Sequence, residues 1–473
     1  MSATLRRLAE SAAKSEAAAR IDPRLRRGAS RLARRFGVWP PGGSGRARSN
    51  GRLAFVGPIP PAETGIASYD RAVLDGLRRI GFLDQHRTDV LWPVEPRRVR
   101  RIDRYELAVY QVGNNTRFHQ RVYDLAWDVP GLVVLHDLAL DDLVRGLEMA
   151  GNAHARETML EAASPGHRPS DPDALLHEPL RIPWCAAIAR RARGIVVHSE
   201  FCRRYLASIG CRTPVFVVPH PVVDDPEAMR RVEPRGRELR APLEARGVTT
   251  IVVAPGDVNE AKCLPVLLEA IASLPDQVHA AIVGRRISGV DIGSEVAARG
   301  IGDRVTVRHD VSDEDFRAWL VAADVAVDLR FPHRGEVSGS LAMAMAAGLP
   351  TIVSATGTYL DVPDETVLRV AAGPPDPAAL ASRIEKLRSD PGLRERIGAA
   401  ARNHVSSLAT SDATAHGYEE AILATRELVL DPLRPMRERW ARGLAEIGVD
   451  GSLVERGYGV SYVRALESFE RTP

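Results

Sequence analysis

The chain alternates short, unbroken apolar runs with segments of helical periodicity, and it does so in two separate series. Residues 53–57, 107–112, 132–136, 195–198 and 215–218 read as the strands of the first series. Residues 250–253, 280–283, 305–307, 325–327 and 351–353 read as those of the second. A short apolar run without polar alternation is a strand covered on both faces, and helices between such strands imply a parallel sheet with helices on either side. A charged stretch over 224–246 separates the series and reads as a polar linker. The pattern therefore predicts an α/β protein of two Rossmann-like, doubly wound parallel-sheet domains facing a cleft, closed by C-terminal helices. The expected boundaries are 51–224 and 225–410, with a basic arm and linker over 1–50 and a helical tail over 411–473. Aromatic residues make up only 5% of the chain, so the cores must be aliphatic.

Several classes of function are disfavoured at this stage. The formal net charge of +3 is too small to argue for nucleic acid, and no aromatic-plus-basic platform is present. No GxGxxG follows a strand, which disfavours a dinucleotide-dependent oxidoreductase. Cys185, Cys202, Cys211 and Cys263 form no CxxC pair or zinc spacing, so free thiols in a reducing cytoplasm are expected. No apolar run approaches the roughly 18 residues of a membrane span, and the N-terminus lacks the apolar core of a signal peptide. The first 35 residues form a basic, partly amphipathic stretch, a composition that can lie on an anionic membrane surface. The expected location is cytoplasmic, with peripheral contact at the inner face of the membrane through that arm.

Ligands of open parallel sheets bind beyond the carboxyl ends of the strands, so the turns placed there are the candidate sites. After the first strand stands Pro60-Pro61-Ala62-Glu63-Thr64-Gly65-Ile66-Ala67, where Gly65 opens a helix whose amides can receive a phosphate or a hydroxyl. His136-Asp137 closes a later apolar strand, and Ser199-Glu200 closes the next; Ser199 is equally a good helix cap. In the second series, Gly256-Asp257-Val258-Asn259-Glu260-Ala261-Lys262 follows the first strand. Lys occurs only at positions 14, 262 and 386. An ammonium where Lys262 stands, at the opening of a helix, is unfavourable unless an anion joins it, and a diphosphate would supply one. After the 325–329 strand comes Arg330-Phe331-Pro332-His333-Arg334-Gly335-Glu336-Val337-Ser338-Gly339-Ser340. There Ser338, Gly339 and Ser340 offer helix-opening amides to phosphate oxygens, and Glu336 offers a carboxylate to sugar hydroxyls unless Arg330 or Arg334 occupies it.

These turns, in this order, resemble the retaining GT-B glycosyltransferases of family 4 over roughly residues 51–410. Thr64-Gly65-Ile66 matches the family's glycine loop after the first strand. His136 matches the histidine that contacts the donor sugar, Ser199 the strand-end serine, and Lys262 the diphosphate lysine. Gly335-Glu336 through Gly348, followed by Pro350 to Thr358, matches the acidic loop and the helix after it. Three positions depart from the pattern. Asp257 stands where the family carries an arginine five residues before the lysine. Gly335 and Met343 occupy the two slots of the family's paired glutamates, so Glu336 fits only with a shift of one residue and the ribose glutamate is absent.

The resemblance implies transfer of a sugar from a nucleotide-sugar donor to a glycan, lipid or small-molecule acceptor, with retention and without metal or other cofactor. His136, Lys262 and Glu336 would be catalytic. Gly65, Ser199, Gly256, Asn259, Ser338, Gly339 and Ser340 would hold the donor, and Thr64 and Asp137 the acceptor. Two rivals stand beside it: a non-catalytic nucleotide-sugar sensor on a degenerate GT-B fold, for which Asp257 and Met343 speak, and a nucleotide-sugar epimerase.

Overall fold

The computed structural model describes residues 51–92, 102–162, 178–221, 226–287, 290–408 and 410–428. The expected basic arm (1–50) and the tail beyond 428 lie outside the described residues. Within them, twelve strands form two six-stranded sheets with parallel pairing throughout.

The first sheet holds β1 (Leu53–Val56), β2 (Thr88–Leu91), β3 (Leu107–Val112), β4 (Leu132–Leu135), β5 (Gly194–Val197) and β6 (Val215–Val217), in the order β2-β1-β3-β4-β5-β6. The second holds β7 (Thr250–Pro255), β8 (Val278–Gly284), β9 (Val305–His309), β10 (Val325–Asp328), β11 (Thr351–Ser354) and β12 (Val367–Val370), in the order β12-β11-β10-β7-β8-β9. In each sheet the order reverses beside the first strand of the series, between β1 and β3 and between β7 and β10. Such a switch point opens a crevice at the carboxyl edge. The central strands β1, β3, β4, β5, β7, β8, β10 and β11 are buried along their whole length, as their apolar runs require.

The 224–246 stretch is not a linker loop. Within it, Pro226–Glu244 is a 19-residue helix, which corrects the expectation. Met229, Leu239 and Leu243 pack against the second domain's core and Val232, at helical spacing with them, is buried, while Arg235 and Arg240 pair with Asp315 and Asp324. Dense surface charge and two internal prolines mask a narrow apolar stripe of the kind that seats a helix. At the other end, the helix Ser411–Glu427 packs on the first sheet. Its Ala415, Tyr418, Ala421 and Ile422 join that core, and the Tyr418 hydroxyl lies 2.8 Å from that of Tyr69. Residues 411–428 thus complete the first domain instead of extending away from the second.

Candidate functional site

The carboxyl edges of the two sheets approach each other at several places: Asp361, beyond β11, accepts from Phe201 N and pairs with Arg204, beyond β5, and glycines mark three more. Gly335, beyond β10, packs so closely on Leu138, beyond β4, that a Cβ there would come within 2.7 Å of the leucine side chain. A Cβ on Gly339 would stand 3.5 Å from His220, beyond β6. One on Gly65, beyond β1, would stand 3.7 Å from Arg285, beyond β8. These approaches bring together most of the turns singled out in the sequence.

On the second-domain side the centre is an ion pair. Lys262 ends the short 3-10 turn Glu260–Lys262, and Cys263 in a left-handed conformation separates it from the helix Leu264–Ser273. Its ammonium was expected on the cleft rim with an external anion as partner. It is instead 5% exposed, and the anion is internal: the carboxylate of Asp328, at the end of β10 and fully buried. Nζ also donates to Pro255 O and Ser340 Oγ, both at 2.9 Å. Burial pulls the ammonium down to about 8, against the opposing pull of Asp328. Burial alone would raise Asp328, but Lys262 and Arg330 hold it below the usual carboxylate value. Asp328 further accepts from the Ser338 and Tyr359 hydroxyls. Gly256, at φ +102, has no room for a side chain, since a Cβ would meet Ser340 Oγ at 2.8 Å. Asn259 precedes the turn, and its Oδ1 is buried without a hydrogen bond.

The helix Gly339–Ala346 is capped by Ser338, whose Oγ accepts from Leu341 N at 3.2 Å. The Ser338 and Ser340 side chains are thus engaged inside the protein. What the helix presents toward the first domain is its amino end at Gly339, where first-turn amides lack intrahelical partners. Glu336 accepts from Arg334 N at 2.7 Å and lies 3.0 Å from Arg330 Nε, so Arg330 does pair with it, but a carboxylate has about four acceptor sites and these bonds use one on each oxygen, leaving room for a hydroxyl. Burial raises its pKa, but His333 and Arg330 outweigh that and keep it ionised. The loop is clamped on the first domain: Leu138 N and Ala139 N both donate to Arg334 O at 2.9 Å, and the Arg334 guanidinium pairs with Asp141.

Met343 is half-buried and packs on the aliphatic core beneath the helix. A carboxylate there would lose solvent without gaining a partner. Met343→Glu is therefore expected to lower the melting temperature by a few degrees, the consequence of about 1–3 kcal/mol, and to leave nucleotide affinity unimproved. A melting curve run beside a nucleotide titration checks both.

On the first-domain side His136 is 9% exposed, with Nε2 2.8 Å from Gln111 Oε1. It stacks edge-on against Tyr69 and lies beside His198. Asp137 accepts from Asn114 N at 2.9 Å; burial first, and the charge of Glu336 second, push it up to about 7. Ser199 serves as a helix cap, accepting from Cys202 N at 3.2 Å. Thr64 holds the N-cap position of the helix Gly65–Arg79 but makes no side-chain cap bond.

Sequence reasoning missed Asp328, Arg285, His220, Tyr69 and, next to Tyr69 in the helix Gly65–Arg79 and fully buried, Asp70. Asp328 and His220 close apolar runs and could have been found by the same rule that found His136. Tyr69 and Asp70 sit inside a helix, where nothing in their spacing sets them apart. Among the described residues no group of three or more His, Cys, Asp or Glu is arranged to hold a metal ion.

Residues 237–404 match the family model of glycosyl transferases group 1. Among curated proteins, a D-inositol 3-phosphate glycosyltransferase of Streptomyces coelicolor is 33% identical over 192 residues, covering 37% of this chain and 41% of that one. Its namesake from Streptomyces scabiei is 30% identical over 245 residues, covering 46% and 52%. The chain thus spans about half the length of the curated relatives it matches. Among solved structures, Anabaena HepE in complex with UDP and glucose aligns with a TM-score of 0.55 at 16% identity, covering 79% of this chain and 99% of that one. Sucrose-phosphate synthase from Thermosynechococcus elongatus aligns at 0.54 and 19%, covering 78% and 97%. These likenesses show the two-domain GT-B fold.

Proposed function

We propose that this chain, whose residues 237–404 are a group 1 glycosyltransferase domain, moves a sugar from a nucleotide-sugar donor to a hydroxylated acceptor. The observation that carries the reading is the seam itself. From the second domain, a clamped, ionised Glu336 acts electrostatically on Asp137, the neighbour of His136, and the amino end of Gly339–Ala346 faces His220, which packs with His136 around Tyr69. A donor laid along the second domain puts its diphosphate at that helix end and its sugar between Glu336 and His136. In the transfer an acceptor hydroxyl oxygen bonds to the anomeric carbon, the bond from that carbon to the diphosphate breaks with its electron pair leaving on the diphosphate, and the hydroxyl proton passes to the departing diphosphate oxygen. Fixed amides and cations are suited to receive that charge, so we further propose that the reaction needs no metal. Retention and assignment to family 4 follow the resemblance in the motifs.

Within this proposal Gly65, Gly256, Asn259, Ser338, Gly339 and Ser340 shape the donor site, and Thr64 and Asp137 face the acceptor. Ser199 acts through its cap. Lys262 acts by positioning Asp328 and Ser340, because its hydrogen-bonding capacity is already spent. The relatives' name supplies one acceptor to try, D-inositol 3-phosphate. A cytoplasmic enzyme touching the membrane through residues 1–35 is the corresponding proposal for location.

The test is donor hydrolysis across UDP-, GDP-, ADP- and dTDP-sugars, with and without EDTA. Turnover of one donor, unchanged by EDTA, is the expected result. Tight binding without turnover would favour the non-catalytic sensor, and conversion of the donor sugar without release of nucleotide would favour the epimerase.

Glu336→Gln keeps the shape of the loop but removes the charge that faces the sugar. We expect kcat/KM to fall by about 10–100-fold, the worth of one charged hydrogen bond. Affinity for the bare nucleoside diphosphate should change by no more than about threefold, because backbone amides meet the phosphates. Equal losses in both measurements would place Glu336 on the nucleotide instead.

A further inference from the structure

The ammonium of Lys262 has three N–H donors, and Asp328, Pro255 and Ser340 take them. Its charge is cancelled within the fold. Arg330 is paired with Glu336 and only 11% exposed, and its Nη1 is buried without a hydrogen bond. If the donor reading above holds, the multiply charged diphosphate still needs a cation with donors to spare.

We propose that Arg285 is that cation, a positioning residue for the donor diphosphate held in place by Asp257; the assignment rests on the donor reading. Arg285 directly follows β8, at the carboxyl edge where ligands of such sheets bind. The turn beyond β8 is locked onto the turn beyond β7. Gly256 N donates to Val283 O and Val258 N to Arg285 O, and Gly284 has no space for a Cβ against Gly256 O. From this clasp the guanidinium makes a two-pronged bond to Asp257, Nε to Oδ1 and Nη2 to Oδ2, both at 2.8 Å. A guanidinium carries five N–H donors; Asp257 takes two, so three remain. The side chain is 34% exposed, unlike Lys262 at 4% and Arg330 at 11%.

The group also reaches across the seam. Its Nη2 lies 3.7 Å from the Cβ position of Gly65, at the amino end of a helix whose cap residue makes no side-chain bond. A guanidinium and a helix amino end therefore face each other, and Asp257 bonds the guanidinium. From this corner Asp257 also acts electrostatically on Lys262 and Arg330. Arg285 comes from the strand beside β7, and Asp257 orients it.

The experiment is calorimetric titration of UDP, GDP, ADP and dTDP, and of the matching nucleosides, into the full chain and its variants. For the nucleoside diphosphate that binds, Arg285→Ala should weaken binding by about 10–100-fold. Nucleoside affinity and melting temperature should stay nearly unchanged, because the residue stands on the rim. Asp257→Arg combined with Arg285→Ala should return affinity to within about fivefold of wild type. Wild-type affinity in Arg285→Ala overturns the assignment while leaving the donor reading intact, and so does an equal loss for nucleoside and diphosphate. A double variant as weak as Arg285→Ala overturns the claim that a cation at this corner is what binding requires. A wild-type chain that binds none of the four diphosphates overturns the donor reading, and the assignment with it.

Discussion

Lys262→Met is expected to remove a large part of the protein's stability, which obscures its effect on turnover. Asp328 is fully buried, and Lys262 is the cation it was folded around. Removing one partner of a buried pair leaves an uncompensated charge, at a cost of about 3–5 kcal/mol. That is a large part of the roughly 5–15 kcal/mol by which folded domains are stable. The loss is a desolvation effect and should be relieved by neutralising the orphan. Asp328→Asn added to Lys262→Met keeps acceptors for Ser338 and Tyr359 while deleting the charge, and should recover at least about half of the loss. Activity should not return with it, because the bonds from Nζ to Ser340 Oγ and Pro255 O stay broken and the Gly339–Ala346 helix loses its anchor. Urea titration of the wild type and both variants, followed by turnover of whatever remains folded, separates the two effects. A single variant that melts within a degree of wild type would mean that Asp328 needs no cation.

That expectation reverses what the sequence alone suggested for Lys262, and the reason is physical. A lysine after a strand reads the same whether it faces solvent or a carboxylate from another strand. Asp328 is 66 residues away, and only the pairing of β7 with β10 brings the two together. The same limit hid Arg285, which belongs to the β8 turn but works beside Asp257. What was legible was whatever is local: apolar runs long enough to be strands covered on both faces, and polar turns at their carboxyl ends. The edge strands Thr88–Leu91 and Val367–Val370 were missed because edge positions relax the apolar requirement. Thr88–Leu91 is half-buried over three of its four residues, and Arg369 interrupts Val367–Val370. Helix Pro226–Glu244 was missed because its stripe is sparse beneath a charged surface. The site turns were found as positions; their roles depend on partners that arrive from other strands.

The second large effect is expected in acid. His119, His136, His198 and His220 are packed into the first domain around Tyr69 and Gln111. Burial pulls His119 from 6.5 to about 4. Burial, with His220 adding to it, takes His198 to about 3, and burial takes His220 to about 4. His136 is lowered well below 6.5 by burial and then by its imidazole neighbours. These groups are neutral in the folded protein throughout the neutral range. Once unfolded they protonate near 6.5, so between about 6.5 and 4 the unfolded chain binds more protons and stability falls as pH falls. Two buried carboxyls act in the opposite direction. Burial raises Asp70 well above 3.8, and burial with Glu336 raises Asp137 to about 7, so both are protonated when folded and release their protons on unfolding at pH 5.5. These histidines, joined by His279, which burial pulls to about 4, outnumber the two aspartates, so unfolding near pH 5.5 takes up protons on balance, at about 1.4 kcal/mol per proton per pH unit. Chemical denaturation at half-unit steps from pH 7 to 4.5 should show little change above about pH 6.5 and a fall in stability below about pH 6. On the proposed reading the acid limb of activity should coincide with loss of near-ultraviolet circular dichroism, since His136 would meet a sugar as a neutral imidazole down to the pH at which the domain opens. Constant stability across that range would mean that these imidazoles are solvated or already charged in the folded state. His136 would then present a cation to its ligand, and the neutral contact assigned to it here would be wrong.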